Sequence, residues 1–183
     1  MQPGASKWLR EIVYTALASA LIVISALITV PLPSPIAITL QTFGIYFVLF
    51  FLGGKLGTVA VALYIFIGAV GLPVFSGFTG GFGRLFDASG GFIFGFLLTA
   101  LVYWLLTVLF GERFRLLFAL ISLALLYTVG SLWYSLVYLG VGEGKLSAVL
   151  LSCVAPFVVP DVIKIFLALF ISNRLSRVLK INR

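Results

Sequence analysis

Apolar residues run along this chain in long blocks, separated by short clusters of proline, glycine and charge. Runs such as "IYFVLFFL" do not alternate apolar with polar positions, so they are not strands of a membrane barrel. Blocks of about 18 or more apolar residues mark helices that cross a bilayer, where lipid offers a bare backbone amide no partner. Six spans are predicted: Glu11–Val30, ended by "PLPSP"; Ile38–Leu52, short, ended by "GGK"; Leu56–Leu72, followed by a Gly-rich stretch to Ser89; Gly90–Phe110, ended by "GERFR"; Leu116–Leu139, ended by "GVGEGK"; and Phe157–Leu175. The last apolar region contains Pro156 and Pro160. Proline fits a first helical turn and breaks an interior. The region therefore divides into a short helix over 146–155, lying in the loop, and the final span. The expected architecture is an all-α integral membrane protein with a single transmembrane domain over 1–183.

Composition agrees with the pattern. Hydrophobic residues make up 62% of the 183 positions and charged ones only 9%, against roughly 45–50% and about 25% in soluble domains. The start, "KWLREIVYTALASALIVISALITV", is positive and rich in small residues, as a cleaved signal would be. Its apolar stretch is as long as a full span and more spans follow, so it is read as a retained first helix.

Charge sets the expected orientation. Six spans place both termini on one side, with Lys7, Arg10, Lys55, Arg113, Arg115, Arg174, Arg177, Lys180 and Arg183. The other side has Arg84 and Lys145. Nine cations against two make the terminal side cytoplasmic. The net charge of +7 thus sits in segments flanking the spans and does not point to nucleic acid. With no His and a single Cys, the chain has no histidine zinc centre, Ser-His-Asp triad or intrachain disulfide.

Candidate chemistry begins at "VAPFVVPDVIKIF", where Asp161 and Lys164 lie three residues apart on one face of the final span, Asp161 about 6 Å in from its start. A charge at mid-helix costs about 2.5–3.5 kcal/mol on insertion scales, which makes function the default reading. The plainer reading is that the two pair and stabilise packing. Facing inward near the outer end, they form a polar wall that suits a neutral group carrying both N–H donors and a carbonyl. "VPLPSPIAITLQTF" stiffens the first outer loop with three prolines and brings Gln41 to the start of the second span. "GLPVFSGFTGGFGRLFDASGGF" is dense in glycine, including Gly77, with Ser76, Thr79 and Arg84 able to reach inward. The glycines serve either a ligand or tight packing. Arg84 and Asp87 are spaced to pair on the surface. No "GK[ST]" loop is present. Small residues recur at a spacing of four at Ala16–Ala20, Gly53–Gly57, Gly77–Gly81 and Gly91–Gly95, a pattern that permits close helix approach in lipid.

"VPLPSPIAITLQT", then "GLPVFSGFTGGFG", "SGGFIFGF" and "PDVIK" on the last span together resemble the BioY family, the biotin-binding S components of energy-coupling-factor vitamin transporters. The similarity runs from about Ala16 to Arg174. The resemblance implies a six-helix S-component fold in a prokaryotic cell membrane, with an outward pocket capped by the first outer loop. It implies biotin as transported ligand, with no cofactor. It implies a transmembrane coupling subunit that contacts the Ala16–Ala20 strip, and two ATP-binding subunits that drive uptake. The family's acid and lysine, which serve the ureido ring, match Asp161 and Lys164. Where the family commonly reads "GPTGGY" and "PGDLLK", this chain has "DASGGF" and "VPDVIK". Gly77 stands where a polar side chain often meets the ligand, with Ser76 or Thr79 to compensate. Residues one turn apart bind one end of biotin, so its carboxylate needs another partner, Arg84 or loop amides.

Other readings are an S component for another vitamin, such as thiamine or riboflavin, or a membrane scaffold without a ligand. The scaffold leaves the inward charges unexplained. An intramembrane enzyme acting on lipid phosphates would want clustered carboxylates, and five acids spread along the chain provide none.

Overall fold

A computed structural model describes residues 3–30, 36–138 and 146–178. The element order is α1 (Pro3–Leu27), β1 (Thr29–Val30), β2 (Ile38–Thr39), α2 (Gln41–Leu52), α3 (Gly54–Val70), a 3-10 turn at Phe82–Phe86, α4 (Gly90–Phe110), a second at Glu112–Phe114, α5 (Arg115–Trp133) continued by a π turn at Tyr134–Tyr138, α6 (Leu146–Cys153) and α7 (Ala155–Val178). Among the described residues the only sheet is the antiparallel pair β1–β2, with Thr29 opposite Thr39 and Val30 opposite Ile38. The structure is that of an all-α membrane protein. By length and composition four helical segments can cross a bilayer: Lys7–Leu27, Gly90–Phe110, Glu112–Leu136 and Val149–Val178. Gln41–Leu52 and Gly54–Val70 are shorter apolar helices.

The differences from the expected boundaries have local causes. The first span ends before Thr29 and the second begins after Thr39, because Thr29–Val30 and Ile38–Thr39 pair as antiparallel strands. α2 is then only 12 residues long, about 18 Å at 1.5 Å per residue. It is shorter than the roughly 20 residues that usually cross the hydrocarbon core. α1, α3 and α7 pack around it, and Ile45, Tyr46, Val48, Leu49 and Phe50 are almost wholly buried. Non-helical backbone at its end is tolerated because protein, not hydrocarbon, surrounds it. α7 begins at Ala155, two residues before the expected Phe157, and so takes in Pro156 as well as Pro160. α6 is separated from α7 by Val154 alone, whose N–H still bonds Leu150 O at 3.0 Å. The loop helix is thus a direct continuation of the last span.

α4 and α5 form the most extensive helix pair, followed by α2 with α7. Glycine explains the first. A Cβ on Gly91 would stand 2.1 Å from Trp133 Cβ, and one on Gly95 2.8 Å from Leu126 Cδ1. Gly57 likewise lets α3 meet Leu49 of α2. Gly53 plays another part: at φ 83° it forms the one-residue turn between α2 and α3. Gly77 and Gly81 lie in the loop with positive φ and nothing within 4 Å of a built Cβ, so their spacing of four is not a packing motif. Buried hydroxyls tie the bundle across helices. Tyr46 donates to Ala119 O at 2.9 Å, Thr99 to Ser122 O at 3.1 Å and Thr58 to Ala100 O at 3.1 Å.

Helix alternation gathers the starts of α2, α4 and α7 at one end, with the loop 71–89. The described cations Lys7, Arg10, Lys55, Arg113, Arg115, Arg174 and Arg177 occupy the other end, where Arg115 bonds Asn173 across α5 and α7. Lys145, Lys180 and Arg183, and the three prolines of the first loop, lie outside the described residues.

Candidate functional site

α7 is apolar on both faces but buries one stripe. Its buried stripe runs Asp161, Lys164, Ile165, Ala168 and Ser172, while Ile163, Phe166, Leu167 and Phe170 face outward. The two charges therefore point into the bundle. Asp161 is 4% exposed and Lys164 8%. Lys164 Nζ donates to Asp161 Oδ1 at 2.8 Å and to the Thr39 carbonyl at 2.8 Å. The Tyr127 hydroxyl, from α5, donates to Asp161 Oδ2 at 2.8 Å. Each carboxylate oxygen has one protein donor and retains acceptor capacity for another.

Asp161 forms part of the wall of a cavity of about 520 Å³, within the range of about 300–1,000 Å³ that small-molecule sites occupy. Phe75, Phe92, Ile93, Phe96, Leu126 and Phe157 supply the apolar wall. Phe75 is fixed by two contacts. Its ring lies over Gly68, where a Cβ would come within 2.2 Å of it, and it meets Tyr64 edge-on at 5.6 Å. Gln41, 5% exposed, lines the cavity and donates through Nε2 to the Tyr64 hydroxyl at 3.0 Å.

The Gly-rich loop forms another part of the wall. Phe75 and Thr79 bridge as a miniature hairpin, N to O at 2.9 Å and 3.3 Å. Gly77 has φ 73° inside that turn, the left-handed region that glycine enters freely. Ser76, Gly77, Thr79 and Arg84 all line the cavity. Thr79 Oγ1 donates to Ser76 O at 3.0 Å and accepts from Arg84 Nε at 3.1 Å. Arg84 also pairs with Asp87, which lines the same cavity.

Of the residues singled out in the sequence, Asp161, Gln41, Ser76, Gly77, Thr79 and Arg84 meet around one cavity. Lys164 adjoins it, bonded to two of its residues, Asp161 and Thr39. An ammonium only donates, and its acceptors, Asp161 Oδ1 and Thr39 O, both belong to residues of the cavity wall. Ala16 and Ala20 are far from the cavity in role: both are exposed on the outward face of α1, beside Leu17 and Ile24. Sequence reasoning missed Tyr127, Tyr64 and the aromatic wall. A tyrosine in an apolar helix carries no mark of the face it occupies, and interfacial anchoring is its ordinary explanation. Among the described residues no cluster of His, Cys, Asp or Glu is arranged to hold a metal ion.

The BioY family model matches residues 1–181. The biotin transporter BioY of Thermotoga maritima is 45% identical over 98 residues, 54% of this chain and 57% of that protein. The probable biotin transporter BioY of Pyrococcus horikoshii is 33% identical over 168 residues, 91% of this chain and 96% of that protein. Among solved structures, the S-component for biotin from an ECF-type ABC transporter, a crystal structure at 2.1 Å, matches with a TM-score of 0.80 and 27% identity over 97% of this chain and 95% of that one. Similarity of sequence along nearly the whole length, together with the same arrangement of helices, makes this chain a member of the BioY family.

Proposed function

We propose that this chain is the substrate-capturing membrane subunit of a biotin uptake system. The observation that carries the reading is a buried carboxylate, Asp161, on the wall of a cavity that also carries the rings of Phe75, Phe92, Phe96 and Phe157 and is large enough for a vitamin. A carboxylate with spare acceptor capacity matches the two N–H donors of a ureido ring, and the flat rings of Phe92, Phe96 and Phe157 suit its fused bicycle. Relatives named as biotin transporters support the same ligand. Lys164 then serves as the positioning cation that holds Asp161 and neutralises it. Gln41, Ser76, Thr79 and the Gly77 turn contribute further polar contacts, and Arg84 faces the carboxylate of the ligand.

The cavity end is assigned to the outside and the basic end to the cytoplasm, in keeping with the excess of cations there. Energy would come from partners, since the chain has no Walker motif. These are a transmembrane coupling subunit, docking on the exposed Ala16–Ala20 strip, and two ATP-binding subunits. The matching solved S component belongs to an ECF-type ABC transporter, which favours this arrangement. The chain's part is binding and carriage, not catalysis, in a prokaryotic cell membrane.

Isothermal titration of the biotin-free protein with biotin, thiamine and riboflavin tests the ligand. One-site binding of biotin alone is expected. Silence toward biotin, or equal binding of the other two, would overturn it.

A further inference from the structure

Arg84 is held by residues of its own loop. One guanidinium nitrogen, Nη1, donates to Asp87 Oδ2, and Nε donates to Thr79 Oγ1 at 3.1 Å. Both members of the ion pair line the cavity, with side chains 32% and 38% exposed. Asp87 is itself anchored. Its Oδ1 accepts the Ala88 N–H at 2.9 Å, and its backbone carbonyl accepts from Trp133 Nε1 at 3.1 Å, which ties it to α5. The chain thus builds a fixed carboxylate beside the one cation that the described residues place on the cavity wall.

We propose that Asp87 is a specificity-determining residue, an internal carboxylate that shares Arg84 with the carboxylate of the ligand. A guanidinium offers five N–H donors in a planar fork, and a bidentate carboxylate takes two of them. With Nη1 and Nε engaged by Asp87 and Thr79, an incoming carboxylate must take the remaining edge or displace Asp87. In either case two like charges meet at one cation. Asp87 therefore weakens the grip on an anionic tail and leaves the hold on a neutral one unchanged. It also keeps Arg84 paired when the ligand departs, so release strands no cation in the wall. For a carrier that must both capture and let go, such an exchange partner limits affinity in favour of release.

The inference rests on the proposed reading in which Arg84 faces the carboxylate of biotin. Its test compares biotin with its carboxamide, in which that charge is removed and the ring is kept, on the wild-type protein, Asp87→Asn, Asp87→Ser and Arg84→Gln. Both Asp87 variants retain a short side-chain oxygen to accept the Ala88 N–H. They are expected to tighten biotin by about twofold to fivefold, the span of a half-exposed ion pair, to slow its dissociation, and to leave the carboxamide unchanged. Arg84→Gln is expected to weaken biotin selectively and to abolish the effect of Asp87→Asn. Biotin binding that is unchanged or weakened by both Asp87 variants overturns the inference, as does an equal change for both ligands. If Arg84→Gln treats biotin and carboxamide alike, the assignment of Arg84 fails first, and the inference falls with it.

Discussion

The ammonium of Lys164 lies 2.8 Å from Asp161 Oδ1 and 2.8 Å from the Thr39 carbonyl, so one buried cation joins the last helix to the strand that leads into α2. The Asp161 carboxylate and the β1–β2 pair are therefore mechanically one unit. With the Tyr127 hydroxyl on its other oxygen, Asp161 is held from three elements, α5, α7 and, through Lys164, β2.

Asp161→Asn keeps the shape of the side chain and removes its charge. Biotin affinity should fall by about 1.5–3 kcal/mol, the scale of a hydrogen bond to a charged group. Titration calorimetry checks it. Unchanged affinity would remove Asp161 from the binding site.

Lys164→Met leaves Asp161 buried without its cation and should destabilise the protein by about 3–5 kcal/mol. Adding Asp161→Leu should recover most of that stability, since a buried pair is often no better than apolar packing, while binding stays lost. Thermal unfolding in detergent, with ligand titration beside it, separates the two roles. A stable Lys164→Met protein would show that the pair is not a structural unit.

Tyr127→Phe deletes a single donor at 2.8 Å from Asp161 Oδ2 and keeps the ring in the cavity wall. Affinity for biotin should drop by about 1 kcal/mol, with the melting temperature nearly unchanged. A large loss of stability with intact affinity would assign Tyr127 to packing alone.

Ala16→Leu places a branched side chain on an exposed strip of α1, away from the packed core. Binding of biotin by the purified subunit should be preserved. Uptake of labelled biotin by cells that also hold the coupling module should fall, because small residues permit close helix approach. Loss of binding would instead place α1 in the site.

Gly91→Val sets a Cβ 2.1 Å from Trp133 Cβ, where α4 packs closely on α5. A backbone shift is unavoidable, and overpacking of this kind costs about 1–3 kcal/mol. The melting temperature should fall and the fluorescence of Trp133 should change, with Gly53→Ala, a turn substitution, leaving that signal alone.

What the sequence determined by itself was the lipid environment, the apolar segments and the presence of inward charges. Hydrocarbon excludes uncompensated polarity so strongly that spans show as composition, and the spacing of Asp161 and Lys164 sets them on one face whatever they touch. Tertiary structure decided which polar groups meet. Tyr127 and Asp161 are 34 positions apart, Lys164 and Thr39 125. Helices that are apolar all round carry little record of which side faces a neighbour, since periodicity is legible only when one face is polar. The same ambiguity hid the roles of the glycines: Gly91 and Gly95 pack helices, whereas Gly77 and Gly81, at the same spacing, shape a loop. Sequence position set Lys164 beside Asp161, but only the folded chain brought the Thr39 carbonyl within reach of its ammonium.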